Sequence, residues 1–107
     1  QVFLNILVNG EQALRERGRT LRVRTRRVDE PVPSVVAEFW NDGPPIPADV
    51  LPHIFDPLFT TKAGEEGTGL GLFICRRIVR EHGGWLDARS GVDGTAFTVR
   101  LPVGGTP

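Results

Sequence analysis

Apolar and polar residues alternate with different periods along this chain, and each period predicts an element. From Gln1 to Arg17 good helix formers dominate, Phe3, Ile6, Leu7, Ala13 and Leu14 follow the three-and-four spacing of a core stripe, and Gly18 stands where a left-handed cap is easiest. This segment reads as a helix. Leu21, Val23 and Thr25 alternate with arginines, which predicts a half-exposed strand, and Ser34 to Trp40 predicts a second strand after a link whose Pro31 and Pro33 cannot join a ladder. Gly43, Pro44, Pro45 and Pro47 then make a rigid loop, followed by a short helical turn at Ala48 to Ile54 and a polar loop from Asp56 to Gly67. Thr68 to His82 reads as the second long helix, with Leu72, Phe73, Cys75, Ile78 and Val79 as its apolar set and Gly83-Gly84 as its stop. Trp85 to Arg89 and Thr95 to Leu101 are two further strands joined by a turn at Ser90 to Gly94, with Phe97, Val99 and Leu101 facing inward. Two helices and four strands predict an α/β two-layer sandwich, because a sheet with one apolar face must be covered by something.

Composition narrows the function classes. At 107 residues the chain is one domain, spanning 1–107. Thirteen basic and thirteen acidic residues cancel, so bulk electrostatics predicts neither a nucleic-acid partner nor membrane contact by this domain. Arg15, Arg17, Arg19, Arg22, Arg24, Arg26 and Arg27 do crowd one segment, but without interleaved aromatics they read as a solvated edge rather than a nucleic-acid patch. The single cysteine, Cys75, allows no internal disulfide, fits a reducing compartment, and lies in a helical apolar pattern that makes it a packed core thiol. No segment is long or apolar enough to span a bilayer, and there is no signal peptide. The chain has no methionine and opens within a helical pattern without a cap, so it is expected to be a piece of something longer, truncated at its N-terminus.

The candidate chemistry lies in two places. Glu66-Gly67-Thr68-Gly69-Leu70-Gly71-Leu72 sets three glycines and a threonine at a helix entry, where free N–H groups and the helix dipole favour an anion. It is neither a Walker loop, since no Lys-Ser or Lys-Thr follows, nor a Rossmann fingerprint, since a polar loop precedes it. Alone it is equally an ordinary flexible helix entry. The second place is the first helix, where Asn5 and Asn9 fall one turn apart on one face of an otherwise apolar run and require partners. A metal ion, a nucleotide or a structural hydrogen-bond network would each supply them.

The motifs and their order resemble the sensor histidine kinases. Gln1 to Gly10 is similar to their N box, Asn41-Asp42-Gly43-Pro44-Pro45-Ile46 to their first glycine box, Ile54 to Lys62 to their F box, and Gly67 to Leu72 to their second glycine box. The resemblance covers nearly the whole chain. It implies the ATP-binding catalytic domain of these kinases, a Bergerat fold of the GHKL superfamily shared with DNA gyrase and the MutL repair proteins, whose mixed, mostly antiparallel sheet carries helices on one face. It further implies ATP and Mg²⁺ as cofactors, with Asn9 as the metal ligand and Asn5 on the phosphate side of it. Gly67, Thr68, Gly69, Leu70, Gly71 and Leu72 would wrap the phosphates, Thr61 and Lys62 would approach them, and Asp56 to Glu66 would form a short lid. Asn5 and Lys62 are the residues expected to act in catalysis. Asn41, Gly43, Ile46 and Thr95 would lie around the adenine, while Phe55 and Phe59 would anchor the lid to the core. The partners implied are the protein's own dimerisation domain with its phosphoacceptor histidine, and a downstream response regulator. The expected location is cytoplasmic, whether or not the parent protein is anchored in a membrane.

Three departures from the family pattern change the expectation. Where an aspartate usually accepts a hydrogen bond from the adenine amino group, this chain has Asn41, whose oxygen is expected to accept the same bond without charge assistance. Pro45 replaces a usual glycine and removes an N–H, and Gly10 replaces the commoner alanine. His53 and His82 read as surface residues, so the phosphoacceptor is expected on a separate domain. The alternative reading is a degenerate nucleotide-binding module that acts through protein contacts. An ATPase switch of the gyrase or MutL kind would need a general-base glutamate where this chain has Asn5.

Overall fold

The computed structural model describes residues 2–14, 18, 20–57 and 71–103, without the side chains of residue 5 and residues 9–13. Helix α1 (Val2–Leu14) is followed by the antiparallel pair β1 (Leu21–Val28) and β2 (Ser34–Asn41), a 3-10 turn at Leu51–His53, helix α2 (Gly71–Glu81), and the strands β3 (Trp85–Gly91) and β4 (Gly94–Pro102). The sheet order is β1-β2-β4-β3, and all three pairings are antiparallel. The last two strands run further than their sequence pattern suggests. Ser90 and Gly91 belong to β3 and Gly94 to β4, which leaves only Val92 and Asp93 in the turn.

Both helices lie on one face of the sheet, α1 over β2 and α2 over β3 and β4, and they pack on each other. Between them and the sheet, Ile6, Ala37, Phe39, Ile54, Cys75, Val79, Leu86, Phe97 and Val99 form one buried core. The helix periodicity and the strand alternation therefore converge on the same layer. Cys75 is fully enclosed, its thiol directed at the Val2 carbonyl 3.9 Å away, as a packed core thiol should be. Helix α2 ends as its glycine pair predicts: Gly83 takes φ +79°, and the N–H groups of Gly83 and Gly84 close on the carbonyls of Arg80 and Val79.

β1 departs from expectation. Its alternation predicts one covered face, yet seven of its eight residues are exposed, Leu21 at 37% and Val23 at 48%. Neither helix packs broadly over it, so an edge strand with an apolar side stays largely open among the described residues. Phe3, Leu4 and Val8 of α1 are exposed as well, although the Phe3 ring still packs on Phe39 with centroids 5.2 Å apart. On the sheet's other face the arginines do meet aromatics that the linear sequence keeps apart: Arg22 stacks over Trp40 at 4.7 Å and Arg100 over Trp85 at 5.6 Å. Among the described residues no helix is long and apolar enough to cross a membrane.

Candidate nucleotide site

The helix-covered face ends in a polar row. Antiparallel register sets Asn41 of β2 beside Thr95 of β4, and Thr95 beside Ser90 of β3, one step beyond the apolar row of Phe39, Phe97 and Ala88. Alternation thus sends these three side chains to the helix side, where Asn41 and Thr95 are each 3% exposed. Buried polar groups need partners, and most of theirs are local. Asn41 Oδ1 accepts a hydrogen bond from Gly43 N at 2.9 Å, folding the chain back after the strand. Ser90 Oγ accepts one from Ile46 N at 2.7 Å and lies 2.7 Å from Thr95 Oγ1. The loop after β2 is therefore tied to the β3–β4 hairpin, and Asn41, Gly43, Ile46 and Thr95 come together at one end of the sheet.

Two features hold that corner open and in register. Gly94 adopts φ +138°, and a Cβ there would run into the Asn41 carbonyl and stand 2.6 Å from Trp40 Nε1. Only glycine lets the two strands approach so closely. Asp42 faces the opposite way, as strand alternation requires: its Oδ1 accepts a hydrogen bond from Thr20 N at 2.8 Å, and its own N–H donates to the Thr20 carbonyl at 3.2 Å. It is a clamp on the start of β1 and does not substitute for Asn41.

The second part of the site begins at the N-terminus of α2. Gly71 opens this eleven-residue helix, and among the described residues a Cβ built there meets nothing within 4 Å. Leu72 packs against the core and fixes the helix entry. Thr61, Lys62, Gly67, Thr68, Gly69, Leu70 and Phe59 lie outside the described residues. Asn5 and Asn9 fall within α1, but their side chains also lie outside the described set. Among the described residues no group of three or more His, Cys, Asp or Glu could hold a metal ion.

Phe55 sits where an anchor for the following segment should be, edge-on to Phe97 with centroids 6.4 Å apart and under the Arg76 guanidinium at 4.4 Å. A hollow of about 530 Å³ opens beside it, lined by Phe55, Pro57, Phe73, Arg76 and Arg80, among others, and by none of the sequence-nominated site residues. It follows the flank of α2, away from the Asn41–Thr95 row. His53 pairs with Asp56 at 3.0 Å and the His82 ring lies 2.8 Å from the Ile78 carbonyl, both in exposed settings that fit surface roles.

Ser90 is the residue that sequence reasoning missed. Its residue type predicts a turn, and only the cross-strand register shows that its hydroxyl joins the Ile46 loop to Thr95. Serine in a strand beside a Gly-Val-Asp-Gly turn was the available signal, and it is a weak one.

Comparison with known proteins places this geometry. A family model described as histidine kinase-, DNA gyrase B- and HSP90-like ATPase matches residues 1–105. The chain is 41% identical to the sensory histidine kinase/phosphatase NtrB of Rhodobacter capsulatus, covering 96% of this chain and 31% of that protein. It is likewise 41% identical to the sensor histidine kinase ZraS of Escherichia coli, over 96% of this chain and 21% of that one. Among solved structures, the catalytic domain of histidine kinase ThkA aligns with a TM-score of 0.73 at 38% identity, covering 95% of this chain and 65% of that one. The mycobacterial sensor histidine kinase MprB aligns with a TM-score of 0.78 at 29% identity, covering 94% and 69%. The chain spans less than a third of the length of either curated relative.

Proposed function

Since the chain belongs to the family of histidine kinase-, DNA gyrase B- and HSP90-like ATPases, we propose that it is the ATP-binding catalytic domain of a two-component sensor histidine kinase. In this reading it holds Mg-ATP and passes the γ-phosphoryl group to a histidine on the dimerisation domain of the same protein, from which a response regulator receives it. The domain works on the cytoplasmic side, whether its parent is soluble or anchored. Relatives named as sensor histidine kinases support the choice within the family, and Asn5, where a water-activating glutamate would stand, argues against an ATPase switch.

The observation that carries the reading is the polar row at the end of the sheet. Asn41 is buried to 3% exposure, yet among the described residues its side chain makes one hydrogen bond, through Oδ1 alone. A buried amide whose NH₂ end is unused fits a base that completes it. Thr95 and Ile46 would bound the base, with the Gly43 turn holding Asn41 in place. Gly67 to Leu72, leading into α2, would bind the phosphates through backbone N–H groups. Thr61 and Lys62 would add a hydroxyl and a point charge. Asn9 would offer Mg²⁺ a hard oxygen and Asn5 would orient the phosphates beside it. Bound Mg²⁺ supplies neutralisation of charge on the phosphate oxygens. The chain's own contribution is positioning, since phosphoryl transfer depends on in-line placement and electrostatics more than on covalent chemistry.

The test uses radiolabelled ATP with this domain, with the parent's phosphoacceptor hairpin, and with both. Acid-labile label is expected on the hairpin only when both are present, and slowly, because no tether raises the local concentration. Asn9→Ala should abolish both labelling and Mg²⁺-dependent binding of a fluorescent ATP analogue, while the circular dichroism spectrum is unchanged. Acid-stable label on the domain alone would overturn the histidine-kinase reading. A wild-type domain that binds no ATP would favour a degenerate module acting through protein contacts.

A further inference from the structure

We propose that Asn41 gives this site a relaxed or inverted preference at the six-position of the purine, so that it accepts a 6-oxopurine nucleotide about as well as ATP. The inference rests on the reading that places the base at Asn41, and it comes from the orientation of one amide. The N–H of Gly43 is buried and is satisfied by Asn41 Oδ1 at 2.9 Å. Rotating the amide by half a turn would set its NH₂ against that N–H, two donors face to face, and strand a buried backbone group. The backbone therefore fixes which end of the amide is which.

The remaining end is Nδ2, which has no hydrogen-bond partner among the described residues. A carboxylate in this position would be symmetrical: one oxygen would take the Gly43 N–H, and the other would accept from an exocyclic amino group. Asn41 keeps the first function and inverts the second. Facing the amino group of adenine, an NH₂ group opposes another donor, whereas facing the carbonyl of hypoxanthine or guanine it meets an acceptor. Thr95 Oγ1 lies 2.7 Å from Ser90 Oγ, so its hydroxyl is directed along the strand row toward Ser90. Asp42 cannot restore an acceptor, since it is turned away onto Thr20.

The experiment measures dissociation constants for ATP and ITP with Mg²⁺ by titration calorimetry, on the wild-type domain and on Asn41→Asp. ITP differs from ATP only at the six-position and the adjacent N1 proton, so the ratio isolates this contact. In the wild type the preference for ATP over ITP should be less than fivefold, or reversed. Asn41→Asp should move the ratio at least tenfold toward ATP. A wild-type preference for ATP of fivefold or more overturns the proposal, as does a ratio that Asn41→Asp moves toward ATP by less than tenfold. If Asn41→Asp fails to fold, as judged by its thermal unfolding, the wild-type ratio alone decides. Absence of binding of either nucleotide to the wild type would instead remove the nucleotide-site reading itself, an outcome distinct from tight ATP binding with ordinary adenine preference.

Discussion

β1 and β2 pair along their whole lengths, yet β2 buries five of its eight side chains and β1 none. Both alternate apolar with polar residues, so alternation cannot be the cause. Neighbours are: among the described residues β2 has a strand on each side and α1 packed across its face, whereas β1 has one strand and no helix packed broadly over it. The same contrast separates structure from site. Asn41 and Thr95 extend the buried rows of the two central strands, so the base end of the proposed nucleotide site inherits the rigidity of the core. A site built on such strands is more tightly positioned than one built on an edge.

The largest expected effect breaks this contrast directly. Phe97 is 2% exposed, lies opposite Phe39 and contacts the Phe55 ring. Phe97→Ala should lower stability by about 3–5 kcal/mol, the range for emptying a core aromatic. Val23→Ala, on the same side of β1, should change stability by no more than about 0.5 kcal/mol, as for a surface position. Urea denaturation followed by tryptophan fluorescence reads both. A large loss for Val23→Ala would mean that β1 is covered in solution, and the contrast between the strands would collapse.

A second substitution joins the core to the site. In Gly94→Ala the new methyl must avoid the Asn41 carbonyl and the Trp40 indole, at a backbone φ of +138° that L side chains rarely adopt. The backbone strain alone is worth about 1–3 kcal/mol. Because the collision is with the residue proposed to meet the base, nucleotide affinity should fall together with the thermal midpoint. Loss of stability with unchanged ATP affinity would detach the hairpin from the site.

Most of the layer architecture was legible in the chain. Helix periodicity selected Ile6, Cys75 and Val79, and strand alternation selected Phe97 and Val99, because both patterns record the side facing the core. The exposure of Leu21 and Val23 was not legible, since residue spacing reports a face and not what stands over it. At the site, Asn41 and Thr95 could be nominated from the motifs. The direction of the Asn41 amide could not, because it is decided by the Gly43 N–H, a backbone group that no residue type encodes. The extra length of β3 was hidden for a similar reason. Ser90 and Gly91 are residue types that favour turns, and the ladder with Thr95 and Gly94 overrides that local preference.

The smallest effect tests whether the loop after β2 depends on that hidden register. Ser90→Ala removes the acceptor for the Ile46 N–H and the partner of the Thr95 hydroxyl, while keeping a strand-compatible side chain of similar volume. An unsatisfied, partly buried N–H should lower stability by about 1–2 kcal/mol. Ile46 would still pack on the core, so the fold should survive and the loss should be local. Amide hydrogen exchange at Ile46 should then quicken well beyond what the global change explains, while Phe39 and Val99 exchange at rates set by global stability alone. ATP affinity should weaken less than in Gly94→Ala, because Asn41 keeps its bond to Gly43. Should Ile46 exchange no faster than those core amides, the loop is held by its prolines and not by Ser90, and the site's rigidity would be local to the loop rather than borrowed from the central strands.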